Sequence, residues 1–455
     1  MKHLKKSIQF LSIGIVTILL TQCATQQQAA DTSQTAQVES QAAESGVTSF
    51  TVDGLQVLVK QTPGNPVVAA GFFLNGGTKY VPKSQAGIER FALRAATEGT
   101  KNYPRDVLNA RLESMGTTIS AGANYDYNGL QLNTLQRNFD ESWKLFQDVI
   151  VNPVYETEDV DIVRQQLLTG LRSIQDDPDS YVAQVANNLF YANTPYAVSL
   201  YGNEEVLQSA TPEDLKAYHS KHLTKDRALL VVVGDVTPDM ISKRASELAA
   251  ALPAGSADEA PNFGSFAPGD SDMEIAEREL PTNYIRGQFK APSLADPDYP
   301  AFSAAMRILR NKLFEEVRTK RNLSYAPAAG VSQRVQNYGL IYVSTAFPDT
   351  TIKVMFATID EMIDSPLPAQ TVKNEISQSI TRNLMQQETA EAQMGQLANY
   401  QLVAGDYRLA DDYLTELERL QPEDIQSAMK KYVKDIHFGI VGDPSKIDTE
   451  LFTQK

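Results

Sequence analysis

A basic opening, Met1-Lys2-His3-Leu4-Lys5-Lys6, precedes a mostly apolar run over 7–20, and residues 24–46 are rich in Gln, Ala and Ser, with Val38 the only large apolar residue. From residue 47 the pattern changes. Apolar positions alternate over 49–61 around Asp53-Gly54, which predicts a hairpin, and 67–77 reads as a buried strand. Helical periodicity follows near 85–98, 104–115, 139–150, 157–175 and 211–222, with a further strand over 227–236. Further on, Phe302, Ala305, Met306, Leu309, Leu313, Phe314 and Val317 mark one predicted helix face. Strands interleaved with helices predict an α+β layer architecture.

Part of this pattern occurs twice. Thr211-Pro212-Glu213-Asp214-Leu215 opens a helix that leads to Val232-Val233-Gly234-Asp235, and Gln421-Pro422-Glu423-Asp424-Ile425 opens one that leads to Ile440-Val441-Gly442-Asp443. In both, proline sits near a helix start, acids fill the first turn and a strand ends in Gly-Asp. Two ordered matches at nearly one offset point to duplication. The Pro/Gly/Ser/Asp-rich stretch around 253–272 reads as a linker. The expected organisation is a signal peptide over 1–22, a tether over 23–46, one domain over 47–252, a linker over 253–270 and a second domain over 271–455.

Composition narrows the functional classes. The chain has 455 residues, with 41 Lys and Arg against 56 Asp and Glu, for a net charge of −15. So acidic a surface repels phosphate backbones, and no nucleic-acid partner is expected. The single cysteine, Cys23, excludes a disulfide framework and any thiolate-rich metal site. The apolar run before it is shorter than the roughly 20 residues of a membrane span and reads as a signal-peptide core. Leu20-Thr21-Gln22-Cys23 resembles the lipobox of bacterial lipoproteins, with Gln22 where a small residue is usual. The resemblance implies lipidation of Cys23 and a membrane anchor at the periplasmic face of the bacterial envelope, with Ala24 favouring the outer membrane. The tether buries too little apolar surface to order itself.

The stretch Gly87-Ile88-Glu89-Arg90-Phe91-Ala92-Leu93-Arg94, followed by Gly99-Thr100 and preceded by Gly76-Gly77-Thr78, resembles the zinc helix of the pitrilysin/insulinase-type metallopeptidases, which include the mitochondrial processing peptidase. The resemblance extends through Asp176-Asp177-Pro178 and the second half. It implies two similar domains, each a mainly antiparallel sheet packed by helices, forming half of a clamshell. The functional residues do not carry over. The two histidine ligands fall on Arg90 and Arg94, the general-base glutamate on Leu93 and the third ligand on Gly170. A guanidinium offers no lone pair to a metal, and leucine cannot take a proton from a bound water. Arg90 and Arg94 are expected on one helix face, ion-paired through Glu98 or touching a peptide's carboxylates. Close packing is expected to account for Gly170 inside its helical pattern.

The family's second signature, an arginine and a tyrosine seven residues apart, is matched by Arg318 and Tyr325 in Leu313-Phe314-Glu315-Glu316-Val317-Arg318 and the residues that follow. The resemblance implies that they hold the substrate backbone and that the tyrosine hydroxyl stabilises an oxyanion; the bland alternative pairs Arg318 with Glu315 or Glu316 and packs Tyr325 against a strand. In small bacterial members the zinc helix and the Arg/Tyr pair lie on two chains. The resemblance thus implies a non-catalytic subunit without a cofactor of its own, a zinc-bearing paralogous partner and an extended peptide substrate. The rival expectation is a peptide-binding or assembly protein with no proteolytic partner. His219 and His222 are expected at the surface or a helix end, His437 in a structural role and Trp143 in the core.

Overall fold

The computed structural model describes residues 41–42, 46–255 and 272–453. The expected signal peptide, Cys23, most of the tether and most of the linker lie outside the described residues. Twelve strands are described: β1 (Gln41–Ala42), β2 (Val47–Val52), β3 (Leu55–Gln61), β4 (Val67–Asn75), β5 (Thr118–Ala123), β6 (Tyr127–Leu135), β7 (Ala228–Gly234), β8 (Met273–Glu277), β9 (Asn283–Lys290), β10 (Ala328–Val331), β11 (Tyr338–Thr345) and β12 (His437–Gly442). The short β1 pairs with Ser49 and Thr48 of β2, so the tether expected over 23–46 ends in a strand. The predicted hairpin is present: Asp53 and Gly54 both take positive φ between β2 and β3, as a tight turn between antiparallel strands requires.

The duplication is visible in the strand order. The first sheet runs β1-β2-β3-β7-β4-β6-β5 and the second, read from its β8 edge, β8-β12-β9-β11-β10. In each, the only parallel pair joins the first of these shared strands to the last in sequence, β3 to β7 and β8 to β12, and the remaining pairs are antiparallel. The helices that precede β7 and β12, Pro212–His222 and Pro422–Tyr432, each begin with proline inside a capping box closed by Asp214 or Asp424.

Each half lends one helix to the other half's sheet. Pro178–Phe190 lies against β12 and β9, where Val182 and Val185 pack with Val441. Ala390–Asn399 lies against β4 and β7, where Met394 and Leu397 pack with Phe73 and Val231. The first contact is close enough to require glycine in β12: a Cβ on Gly439 would stand 2.5 Å from the backbone nitrogen of Ala186. Polar contacts close the same seam. Buried Asp126 accepts from Lys79 Nζ at 3.1 Å, from the Tyr196 hydroxyl and from the backbone N–H of Val335, and Tyr191 Oη donates to the Gln336 carbonyl at 2.7 Å. Each of these groups is desolvated and leaving one unpaired is costly, so the contacts hold the two halves in one relative placement.

Candidate functional site

In the second half, the helix Tyr299–Leu313 buries Phe302, Ala305, Met306, Leu309 and Leu313. It then widens into a π-helical turn over Phe314–Thr319. The extra residue per turn rotates the following side chains, so Val317 stays buried while Phe314 is 44% exposed, contrary to its expected place on the apolar face. Such turns recur at functional sites because they re-aim side chains. Here the turn presents Arg318. Its guanidinium carbon lies 4.7 Å from the ring centroid of Phe314 and 4.1 Å from that of Tyr325. The chain returns through Asn322, at positive φ, with Asn322 N–H donating to Arg318 O at 3.0 Å and Thr345 Oγ1 to Leu323 O at 2.8 Å.

The neighbouring charges are already neutralised. Lys320 pairs with Glu315 and Glu316, and Arg321 pairs with Glu316 at 2.5 Å. Arg318 therefore has neither glutamate, and rings hold it by its faces while its N–H edge stays available. Tyr325 is 77% exposed, so it is not a buried strand-packing aromatic. Phe347, also exposed, precedes the helix Pro348–Asp364 that packs on the π-helical turn. The result is an outward-facing array of one guanidinium fork and one phenol, both donors to carbonyl or oxyanion oxygen.

In the first half, a tight turn leads to the helix Ile88–Ala96. Gly77 takes φ 58°, and a Cβ there would stand 2.4 Å from the Asn124 carbonyl oxygen, so only glycine fits. Leu93, where the base would stand, is 2% exposed and packs in the core beneath the first sheet. Arg90 is half-buried with its guanidinium 5.5 Å from the ring centroid of Tyr201, while Arg94 is exposed and donates from Nη2 to Gln166 Oε1 at 3.0 Å. Burial, then the charge of Arg94, hold Arg90 below its ordinary value. Glu98 pairs with Arg105 at 2.9 Å, not with Arg94, because the loop after the helix brings Arg105 closer. Gly170 is exposed on Thr157–Asp176, and a Cβ there would meet nothing within 4 Å, so close packing does not explain it. Gln166 and Gly170 are one helical turn apart, so the bond to Arg94 turns that face toward the two arginines. The structure thus brings Arg90, Arg94 and the face of Gly170 together around donors and bare backbone. Such a set does not fit zinc.

Sequence reasoning missed Glu89. The carboxyl is buried, neither oxygen has a well-formed hydrogen bond among the described residues, and burial, opposed in part by the nearby backbone N–H groups of Glu89 and Gly87, pushes its pKa up to about 7. Burial, and then the carboxylate form of Glu89, push the Tyr218 hydroxyl up, and the Tyr218 ring centroid lies 4.5 Å from that of His222. An acid in the first turn of a helix reads as a solvated partner of the helix dipole, so only the packing of distant elements reveals it. His219 and His222 stand in the last turn of the helix Pro212–His222, as expected of helix-end histidines, with His219 half-buried. His219 Nε2 lies 2.9 Å from the Ile150 carbonyl, and burial lowers its pKa to about 4. His222 lies 2.9 Å from Arg227, His437 is buried in β12 beside Phe190, and Trp143 is buried. The Arg90/Arg94 group and the Arg318/Tyr325 group stand on different halves and share no hydrogen bond or ring contact among the described residues.

Comparison with known proteins matches two family models in order along the chain, meeting near residues 204–209, ahead of β7 of the first sheet. Residues 56–204 match the model described as insulinase (peptidase family M16), and residues 209–379 match the model described as the peptidase M16 inactive domain. The chain is 21% identical over 394 residues to the non-peptidase homolog YmxG of Helicobacter pylori, covering 84% of this chain and 91% of that one. It is 21% identical over 338 residues to the mitochondrial-processing peptidase subunit beta of Caenorhabditis elegans, covering 69% of each. It is 25% identical over 263 residues to the cytochrome b-c1 complex subunit 1 of Bos taurus, covering 56% of this chain and 54% of that one. Among solved structures, a peptidase M16 inactive domain from Pseudomonas fluorescens superposes with a TM-score of 0.79 at 20% identity, covering 87% of this chain and 98% of that chain. With both family models matched in order along one duplicated α+β fold, the chain belongs to the insulinase family of peptidases, family M16.

Proposed function

We propose that this chain is the non-catalytic subunit of a heterodimeric zinc peptidase, with the zinc and its helix carried by a paralogous partner. The observation that carries the reading is the split between its two halves. At the zinc-motif positions the helix Ile88–Ala96 carries Arg90, Leu93 and Arg94, none of them a metal donor, while half-buried Arg318 and exposed Tyr325 stack together with no carboxylate paired to Arg318 among the described residues. Closed against a partner as one half of a clamshell, Arg318 forks to substrate carbonyl oxygens and Tyr325 Oη donates to the oxygen that gains charge at the scissile bond. An extended peptide is held by strand addition, for which β5 offers a free edge among the described residues. The reading includes a lipid anchor at Cys23 and a location at the periplasmic face of the outer membrane, supported by the basic and apolar opening of the chain.

A second reading rests on the likeness to a cytochrome b-c1 complex subunit: an assembly or peptide-binding protein without a proteolytic partner. Purification from the native membrane separates the two. Recovery with a chain bearing an intact His-x-x-Glu-His helix supports the subunit reading, and recovery in a large non-proteolytic assembly overturns it.

A further inference from the structure

The chain carries 56 acids against 41 Lys and Arg, and several arginines pair with a carboxylate, among them Arg105 with Glu98, Arg111 with Glu141, Arg164 with Asp161 and Arg172 with Glu204. Arg90 and Arg94 do not. They stand four apart on one helix face, where like charges repel, and neither has a carboxylate partner among the described residues. Their partners are neutral. The Tyr201 ring supports Arg90 from its face, and Gln166 takes one N–H of Arg94, so both guanidiniums are oriented with most of their donors unused.

The surroundings leave room for a ligand. Gly170 follows Gln166 by one helical turn and contributes no side chain, and nothing occupies the space a Cβ would fill there. The helix Ile88–Ala96 lies against β5, an edge strand of the first sheet, whose residues Thr118, Ser120 and Gly122 are exposed. A peptide paired along β5 therefore runs beside the helix that carries Arg90 and Arg94.

We infer that Arg90 and Arg94 form a carboxylate-binding subsite that takes an acidic side chain of an extended peptide. Two guanidinium forks on adjacent turns accept a carboxylate in bidentate fashion, and an anion between them removes the repulsion the pair otherwise carries. The inference rests on the reading that this chain holds an extended peptide, and it adds the class of side chain selected.

The test uses the whole chain alone, without a partner, so it is independent of whether a mixture cleaves anything. A fluorescent extended peptide with one central Glu is titrated against its Gln counterpart. The expected result is about tenfold tighter binding of the Glu peptide at low salt, with the difference shrinking as ionic strength rises. Arg94→Gln reduces that preference, and Arg90→Gln with Arg94→Gln erases it; circular dichroism checks that the variants fold, and the exposed position of Arg94 gives a single variant that keeps the core intact. Equal affinity for the two peptides overturns the subsite, as does binding of neither, or a Glu preference that survives the double substitution. Loss of the subsite with a mixture that still cleaves peptides leaves the subunit reading standing, and the reverse outcome removes the subunit reading alone.

Discussion

The guanidinium carbon of Arg318 lies 4.1 Å from the ring centroid of Tyr325, and among the described residues no acid pairs with it, Glu315 and Glu316 being held by Lys320 and Arg321. The stack fixes two donors side by side at the surface. Tyr325→Phe keeps the ring under Arg318 and removes only the hydroxyl. In a mixture with the zinc-bearing partner, kcat should fall by roughly 10²–10³ with little change in KM, as the loss of one oxyanion donor implies. The melting temperature of this chain should stay unchanged, since Tyr325 is 77% exposed. Steady-state kinetics on the mixture check both parameters, and unchanged turnover removes the role assigned to the hydroxyl.

Glu89 gives the chain a predicted pH dependence of stability. The buried carboxyl holds its proton up to about pH 7, whereas in the unfolded chain it releases it near 4.5. Below pH 4.5 both states are protonated and the residue contributes no pH dependence. Between 4.5 and 7 the unfolded state loses its proton first, so folding stability falls as pH rises, by on the order of 3 kcal/mol across the window. Glu89→Gln removes that slope. Urea midpoints measured from pH 4.5 to 8 should converge for the two proteins at the acid end and separate at neutral pH, with the variant the more stable. Parallel curves would show that Glu89 is ionised in the fold.

The exchanged helices predict cooperative unfolding. Ala186 of the helix Pro178–Phe190 sits over Gly439, and a methyl group there would stand 2.5 Å from a backbone nitrogen. Gly439→Ala should destabilise the chain by about 1–3 kcal/mol through overpacking, with the two halves still unfolding in a single transition. Circular dichroism and Trp143 fluorescence should trace one coincident denaturation curve. Two separated transitions would contradict the interlock.

Gly170 predicts the opposite sign. It lies exposed inside the helix Thr157–Asp176 with open space at its Cβ position. Gly170→Ala should stabilise the chain by about 0.5–1 kcal/mol, through helix propensity alone. A thermal melt is sufficient, and a lower midpoint would reveal a steric constraint at that site.

Much of the fold was legible because period and punctuation agree locally. Asp53-Gly54 announced its hairpin, and the repeated Pro-Glu-Asp before Pro212–His222 and Pro422–Tyr432 announced the duplication. The helix exchange was not legible: an apolar stripe such as Val182, Val185 and Leu189 tells that a face is buried but not against which sheet. Phe314 was misplaced because a π-helical turn breaks the assumed period of 3.6. The chemical identity of Arg90, Leu93, Arg94, Gly170, Arg318 and Tyr325 could be read directly from the chain. Their partners could not, since Tyr201 and Gln166 reach Arg90 and Arg94 only through the packing of remote segments.

The central claim is that this chain lends binding and oxyanion donors to hydrolysis performed on another chain. It is tested most directly by measuring zinc content and chelator-sensitive peptide cleavage for the purified chain alone, for the zinc-helix paralogue alone, and for the two mixed. The account predicts no stoichiometric zinc and no cleavage for this chain alone, and cleavage by the mixture well above that of the paralogue alone. Chelator-sensitive cleavage by this chain without a partner, or a mixture no more active than the paralogue, would contradict it.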